Sequence, residues 1–267
     1  MNRVILILID GCRADALQQV SSANIDSLVA AGASCFQAQT VVPPVTLPCH
    51  FSLFTSSHPI THGVGDNTAR PNPSPAAAGL FEVLAYHGLR SAVFFTWEPL
   101  RNLWAPGSVS HCVCSRIVQR PDSDLIIAGL ALDYLIEAEP DFSFIYLERT
   151  DFVGHADGWM SPAYLKALEQ ADAAVGRVLA GLEKAGLRDT YHFILQSDHG
   201  GSGHHHTTTD DAVMNIPWIA AGPTIRSDHI IRKPVSITDT TPTLARILGL
   251  APHPAWSGKA VAEIFLE

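Results

Sequence analysis

The ten residues from Ser197 to His206 read S-D-H-G-G-S-G-H-H-H. Carboxylate oxygen and imidazole nitrogen are ligands that divalent cations such as zinc accept, and a glycine-rich turn lets them reach one ion or two neighbouring ones. Asp198 and His199 are adjacent, and one of His204, His205 and His206 supplies a further imidazole within the same loop. The pattern recurs. Asp10 follows the apolar run Val4-Ile5-Leu6-Ile7-Leu8-Ile9, and the run from Phe142 to Leu147 leads into Asp151, with His155 four residues on. That spacing turns both side chains to one face of a helical turn. A hydroxyl joins them: Thr46 precedes Leu47-Pro48, and Pro48 suits a helix's first turn. A threonine there is a good N-cap, and its hydroxyl also stands beside free N–H groups and the positive end of a helix dipole, which favour phosphate.

The elements that must position these groups can be read from periodicity. The runs 4–9, 142–147 and 191–196 are apolar without alternation, as in strands buried on both faces of a parallel sheet. They lead to Asp10, Asp151 and Asp198 at one sheet edge, where open α/β sheets hold their ligands. Further strands are expected over 91–96 and 215–220, with an extended lead-in over 38–44. Helices are expected over 24–31, from Thr46 onward, and over 79–87, 124–137, 162–185 and 238–248. A glycine-punctuated loop over 58–67 ends in Asn67, and 71–78 is a Pro/Ala-rich surface loop. Residues 97–120 are expected to be irregular, with two tryptophans, and to form a cap over the site. Strands alternating with helices predict a three-layer α/β/α sandwich with a mostly parallel sheet, one domain over 1–267.

With 267 residues, 47% hydrophobic and 16% charged, the chain has the composition of a globular domain with a substantial core. A formal net charge of −9 argues against binding a nucleic-acid backbone. No apolar stretch approaches the length of a membrane span, and the run 4–9 is too short for the core of an export signal. Five cysteines in no disulfide-framework pattern are expected to be mostly buried free thiols in a reducing, cytoplasmic setting. Cys112-Val113-Cys114 lacks zinc-knuckle spacing and is read as structural.

In order, these pieces resemble the alkaline phosphatase superfamily, most closely its nucleotide pyrophosphatase/phosphodiesterase branch. The carriers are Leu8-Ile9-Asp10-Gly11, Thr46 with Leu47-Pro48, Thr61-His62-Gly63-Val64 followed by Asn67, Asp151-Phe152-Val153-Gly154-His155 and Ser197-Asp198-His199-Gly200. The resemblance covers nearly the whole chain. It implies two divalent metal ions, normally zinc, one held by Asp151, His155 and His206, the other by Asp10, Thr46, Asp198 and His199. It also implies Thr46 as the nucleophile that becomes a phosphothreonine, with Asn67 and the N–H of Leu47 on the phosphoryl oxygens and Tyr146 beside the leaving nucleotide. A small-molecule phosphate ester or nucleotide-like compound is the implied substrate. The sulfatase signature C/S-x-P-x-R is not met, because Thr46 cannot yield the aldehyde and His50 stands in place of the arginine. Phosphomonoester and phosphonate hydrolysis are alternatives on the same site. A non-catalytic metal-binding module, or metal storage by His204 to His206, is an alternative of another class.

Overall fold

Six apolar residues in a row have no polar face to leave in water, so the strand they form must be covered on both sides. In the computed structural model, which describes residues 2–68, 71, 73–74 and 77–266, the first strand lies in the interior of an eight-stranded sheet. The strands are β1 (Arg3–Ile9), β2 (Gly32–Gln39), β3 (Ser91–Phe95), β4 (His111–Cys114), β5 (Phe142–Leu147), β6 (Tyr191–Gln196), β7 (Asn215–Ala221) and β8 (His229–Ile230). Their order is β4-β3-β5-β1-β6-β7-β2-β8. The block from β4 to β6 is parallel, and β7 is antiparallel to both β6 and β2. The helices are α1 (Ala14–Leu17), α2 (Ala23–Ala30), α3 (Thr46–Thr55), α4 (Pro59–His62), α5 (Leu80–Tyr86), α6 (Ser123–Ala138), α7 (Arg149–Asp157), α8 (Pro162–Lys184), α9 (Asp211–Met214) and α10 (Thr240–Ile247).

Strand alternation divides the core into two layers. Val4, Leu6 and Leu8 join Phe142, Phe144 and Ile194 on one face, beneath α3, α5 and α10 with Phe54, Phe81 and Leu244. Ile5, Ile7 and Ile9 join Ile145, Leu147 and Leu195 on the other, beneath α2, α6 and α8 with Leu28, Ile127 and Leu168. Each fully buried aliphatic side chain contributes about 1.5–3 kcal/mol, so Ile7→Ala in this row would cost about 2–5 kcal/mol. Helix α8 starts at Ser161, whose hydroxyl accepts from the Tyr164 N–H at 3.2 Å, and buries Leu168, Ala171, Val175, Val178 and Leu182 along one stripe. Among the described residues no helix is long and apolar enough to cross a membrane.

The structure departs from the sequence reading in three places. The extended segment expected over 38–44 is instead a strand at 32–39, with a register shift between Cys35 and Ala38. Its polar residues Ser34, Gln37 and Gln39 hide the strand pattern, and Gly32 is required because a Cβ there would lie 2.0 Å from the Ala220 carbonyl oxygen. Within 97–120, expected to be irregular, β4 forms the sheet edge, too short to show a period. On that edge strand Cys112 and Cys114 are exposed and Cys35 is half-buried, so only Cys12 and Cys49 are buried free thiols. Within the loop expected over 71–78, residues 72, 75 and 76 lie outside the described residues.

Candidate active site

The carboxyl ends of β1, β5 and β6 lie side by side and bring three aspartates together. Asp10 follows β1 directly, and its N–H donates to the Leu147 carbonyl at 2.9 Å. Gly11 turns the chain with φ +64°, and a Cβ on it would lie 3.0 Å from the Asp151 backbone, so only glycine suits this turn. Its N–H donates to Asp198 Oδ1 at 3.2 Å, and the His199 N–H donates to the same oxygen at 3.0 Å. Ser197 Oγ accepts from the Cys12 N–H at 2.9 Å, holding the turns after β1 and β6 together. Asp151 and His155 share one face of α7, with His155 Nε2 3.5 Å from Asp151 Oδ2.

The imidazoles share one arrangement. His199 Nδ1 donates to the Gly200 carbonyl at 2.9 Å, His206 Nδ1 to Pro44 at 2.7 Å, and His155 Nδ1 to His204 at 2.9 Å. With each Nδ1 occupied, a neutral ring presents its Nε2 lone pair to the aspartates, the orientation typical of metal-binding histidines. Burial holds His199 and His206 at about 4, so both are neutral at neutral pH. The His199 and His206 rings stack 3.9 Å apart. His206, not His204 or His205, is the buried member of the triplet that reaches the cluster.

Three oxygens in this cluster, Asp10 Oδ1, Asp151 Oδ1 and Asp198 Oδ2, have no hydrogen-bond partner among the described residues. Burial first, and then the repulsion of Asp198, raises the pKa values of Asp10 and Asp151 well above the ordinary carboxylate range; burial also raises Asp198. Such a cluster calls for positive charge. The ligand atoms of Asp151, His155 and His206 lie within 4.8 Å of one another, as do those of Asp10, Asp151 and His199. Asp198 Oδ2 is 3.4 Å from His199 Nε2. Unpartnered carboxylate oxygens beside imidazole Nε2 atoms fit one or two divalent cations.

Thr46 is the first residue of α3, not its N-cap. That position is taken by Val45, with no side-chain cap. The Thr46 hydroxyl is therefore free of the capping role and lies 3.3 Å from His199 Nε2. Two expected substrate contacts already have partners within the protein. The Leu47 side chain is fully buried in the core, and its N–H donates to Asn67 Oδ1 at 2.8 Å. Tyr146 is also buried, and its hydroxyl donates to Asp10 Oδ2.

Thr46, Asn67, Asp10, Asp151, His155 and His206 open onto a cavity of about 210 Å³ that also has Trp97, Tyr146 and Glu148 on its wall, while Asp198 and His199 are fully buried. Glu148, pushed up to about 7 by burial, was not anticipated, although it follows β5 at the same sheet edge as the aspartates. Trp97, singled out only as part of the irregular segment, lies two residues beyond β3 at that edge.

A parallel-cored α/β/α sandwich with this cluster at its carboxyl edge defines a protein of the alkaline phosphatase superfamily. Residues 4–79 and 80–229 match the family described as Type I phosphodiesterase / nucleotide pyrophosphatase, and the chain belongs to that family. It is 29% identical over 216 residues to ectonucleotide pyrophosphatase/phosphodiesterase family member 3 of Rattus norvegicus, covering 74% of this chain and 24% of that protein. The same identity over 216 residues relates it to venom phosphodiesterase 2 of Crotalus adamanteus, with 74% of this chain and 26% of that protein covered. The chain thus spans about a quarter of the length of these relatives. Among solved structures, murine ectonucleotide pyrophosphatase / phosphodiesterase 5, in an inactive threonine-to-alanine form in complex with AMP, superposes with a TM-score of 0.82 at 16% identity, covering 100% of each chain.

Proposed function

We propose that this chain is a two-cation phosphoesterase that cleaves phosphodiester or pyrophosphate bonds through a covalent phosphothreonine at Thr46. The observation that carries the reading is the Thr46 hydroxyl at the start of α3, hydrogen-bonded to His199 Nε2 at 3.3 Å and set in a cluster of unpartnered carboxylate oxygens. Asp151, His155 and His206 would hold one zinc ion, and Asp10, Thr46, Asp198 and His199 the other. When bound, such ions supply positive charge to the phosphoryl oxygens and lower the pKa of hydroxyl and water.

The residues of the chain do the rest. Thr46 Oγ loses its proton and attacks phosphorus; the new P–O bond forms as the bond to the leaving oxygen breaks, in line on the opposite side. Water then attacks the same phosphorus and returns Thr46 as the hydroxyl. Asn67 Oδ1 accepts the Leu47 N–H at 2.8 Å, which leaves the Asn67 Nδ2 group to donate to a non-bridging oxygen, and the Leu47 N–H would exchange Asn67 for a second such oxygen when substrate binds. Tyr146, by donating to Asp10, fixes the carboxylate's orientation.

The choice of a diester over a monoester rests on charge. No lysine or arginine is on the cavity wall among the described residues, so nothing there favours a second negative charge on the phosphoryl group. Trp97 offers an aromatic face for a nucleotide-like leaving group. The family's phosphodiesterase relatives and the AMP complex of the inactive threonine variant of a fold neighbour support the same reading.

The test is hydrolysis of bis-p-nitrophenyl phosphate and p-nitrophenyl phosphate side by side by zinc-loaded protein, with Thr46→Ala as the control. Preference for the diester together with loss of turnover in the variant is the expected result. Activity unchanged in Thr46→Ala would remove the nucleophile assignment.

A further inference from the structure

One buried side chain outside the ligand set touches the turn after β1, helix α7 and the loop after β6, three segments that carry ligands. Trp159 follows α7 and is 6% exposed. Its indole N–H donates to the carbonyl of Gly11, the residue after Asp10, at 2.9 Å. Its backbone N–H donates to Gly203, between His199 and His206, at 2.7 Å. Its ring lies edge-on to His155 at 5.0 Å and to His206 at 6.0 Å. The ring is also pressed against backbone on two sides. A Cβ on Gly154, next to His155, would lie 2.6 Å from it, and one on Gly201 would lie 2.1 Å away.

The backbone that delivers this ring is unusual. Gly158 has φ +90° and Met160 has φ +66°, so both neighbours of Trp159 lie at positive φ. A non-glycine residue seldom adopts that conformation, and it persists where surrounding contacts over-determine it. A tryptophan that only filled core volume would need neither the two hydrogen bonds to ligand-bearing turns nor this turn. His155 gains most from the contact, because its side chain is 44% exposed and otherwise meets only the His204 carbonyl, Asp151 and the His206 ring among the contacts of the described residues.

We infer that Trp159 is a positioning residue for the cation held by Asp151, His155 and His206; the inference rests on the two-cation reading above. Its ring sets the separation of His155 and His206, and its two N–H groups lock the turns after β1 and β6 against α7. Supporting groups of this kind govern metal affinity as well as activity.

The experiment removes zinc from wild type, Trp159→Phe and Gly154→Ala with a chelator. Zinc is then returned in competition with a chromogenic chelator, and melting of the zinc-free proteins is recorded in parallel. Gly154→Ala reaches the ring from within α7, where alanine is itself favourable, so it carries the test should Trp159→Phe fail to fold. Both variants are expected to keep two sites, one of them weakened about 10–100-fold. Their lost turnover of bis-p-nitrophenyl phosphate at limiting zinc should return when zinc is raised. Wild-type zinc affinity at both sites, with only a lower melting temperature, overturns the inference and leaves the two-cation reading standing. Wild-type protein that binds no zinc overturns the proposed function, and the inference with it.

Discussion

Two concave regions of this molecule differ in a way that size does not predict. The larger, of about 930 Å³, runs past Arg13, Phe36, Asp211 and Ile230 beside the β2–β8 edge; the smaller, of about 210 Å³, holds Thr46, Asp10 and Asp151. In the larger, the lining carboxylates Asp15, Asp211 and Asp228 are exposed to water, and Arg13 pairs with Asp15 at 2.7 Å. In the smaller, Asp10 Oδ1 and Asp151 Oδ1 are buried without a hydrogen-bond partner. Unsatisfied buried charge is costly to maintain, and a fold keeps it where something else completes it. The small acidic cavity is therefore the candidate for chemistry, and the wide groove is a surface whose carboxylates are hydrated.

Breaking the small cavity should have the largest effects. Thr46→Ala is expected to lower kcat for the diester by about 10³-fold or more, since loss of a nucleophile removes the covalent route outright. Asn67→Ala removes one charge-stabilising donor and should cost about 10²–10³-fold in kcat, read at saturating substrate. Zinc at one hundred times its dissociation constant should stabilise the wild type by about 2.7 kcal/mol, measured by denaturant melts with and without chelator, and Asp151→Asn should lose much of that gain.

A buried carboxylate away from both cavities sharpens the contrast. Asp124, on α6, has an unpartnered Oδ2 but no imidazole beside it that could share an ion, and burial pushes it up to about 7. The native state keeps this proton up to about pH 7, whereas the unfolded chain releases it near 3.8. Between those values the unfolded state binds fewer protons, so this group makes stability fall as pH rises through the window. Asp124→Asn should flatten that fall, seen in melting curves taken from pH 4 to 8; an unchanged slope would show that the carboxyl is already balanced. The smallest effect belongs to the groove: Ile230→Ser, at a side chain 74% exposed, should leave kcat/KM within about twofold.

The chemistry was more legible in the sequence than the architecture around it. Asp10, Asp151 and Asp198 follow apolar runs of six residues, and such runs fix both strand and sheet edge. His206 could not be told from His204 or His205 by residue type alone. Its selection depends on the loop's path, which ties His206 Nδ1 to Pro44, and only the resemblance to known proteins pointed to it. Thr46 was legible as a helix start, but its freedom from capping depended on a one-residue shift of the helix boundary. Strands β2 and β4 were not legible, because one alternates polar residues around a bulge and the other is four residues at an edge. Glu148 obeys the same strand-end rule as the aspartates and was missed because only its neighbours matched a motif.

The position of β1 also bears on how the domain is made. It pairs with residues 142–147 on one side and 191–196 on the other, and the bond from Gly11 to Asp198 spans 187 positions. Contacts so distant along the chain form late and slow folding. During synthesis the ribosome has released Asp10 long before either neighbouring strand exists, so the first strand must wait, apolar and unpaired, as a target for chaperones or for aggregation. The pocket is in that sense a product of late assembly, since its wall is not complete until His206 has been made.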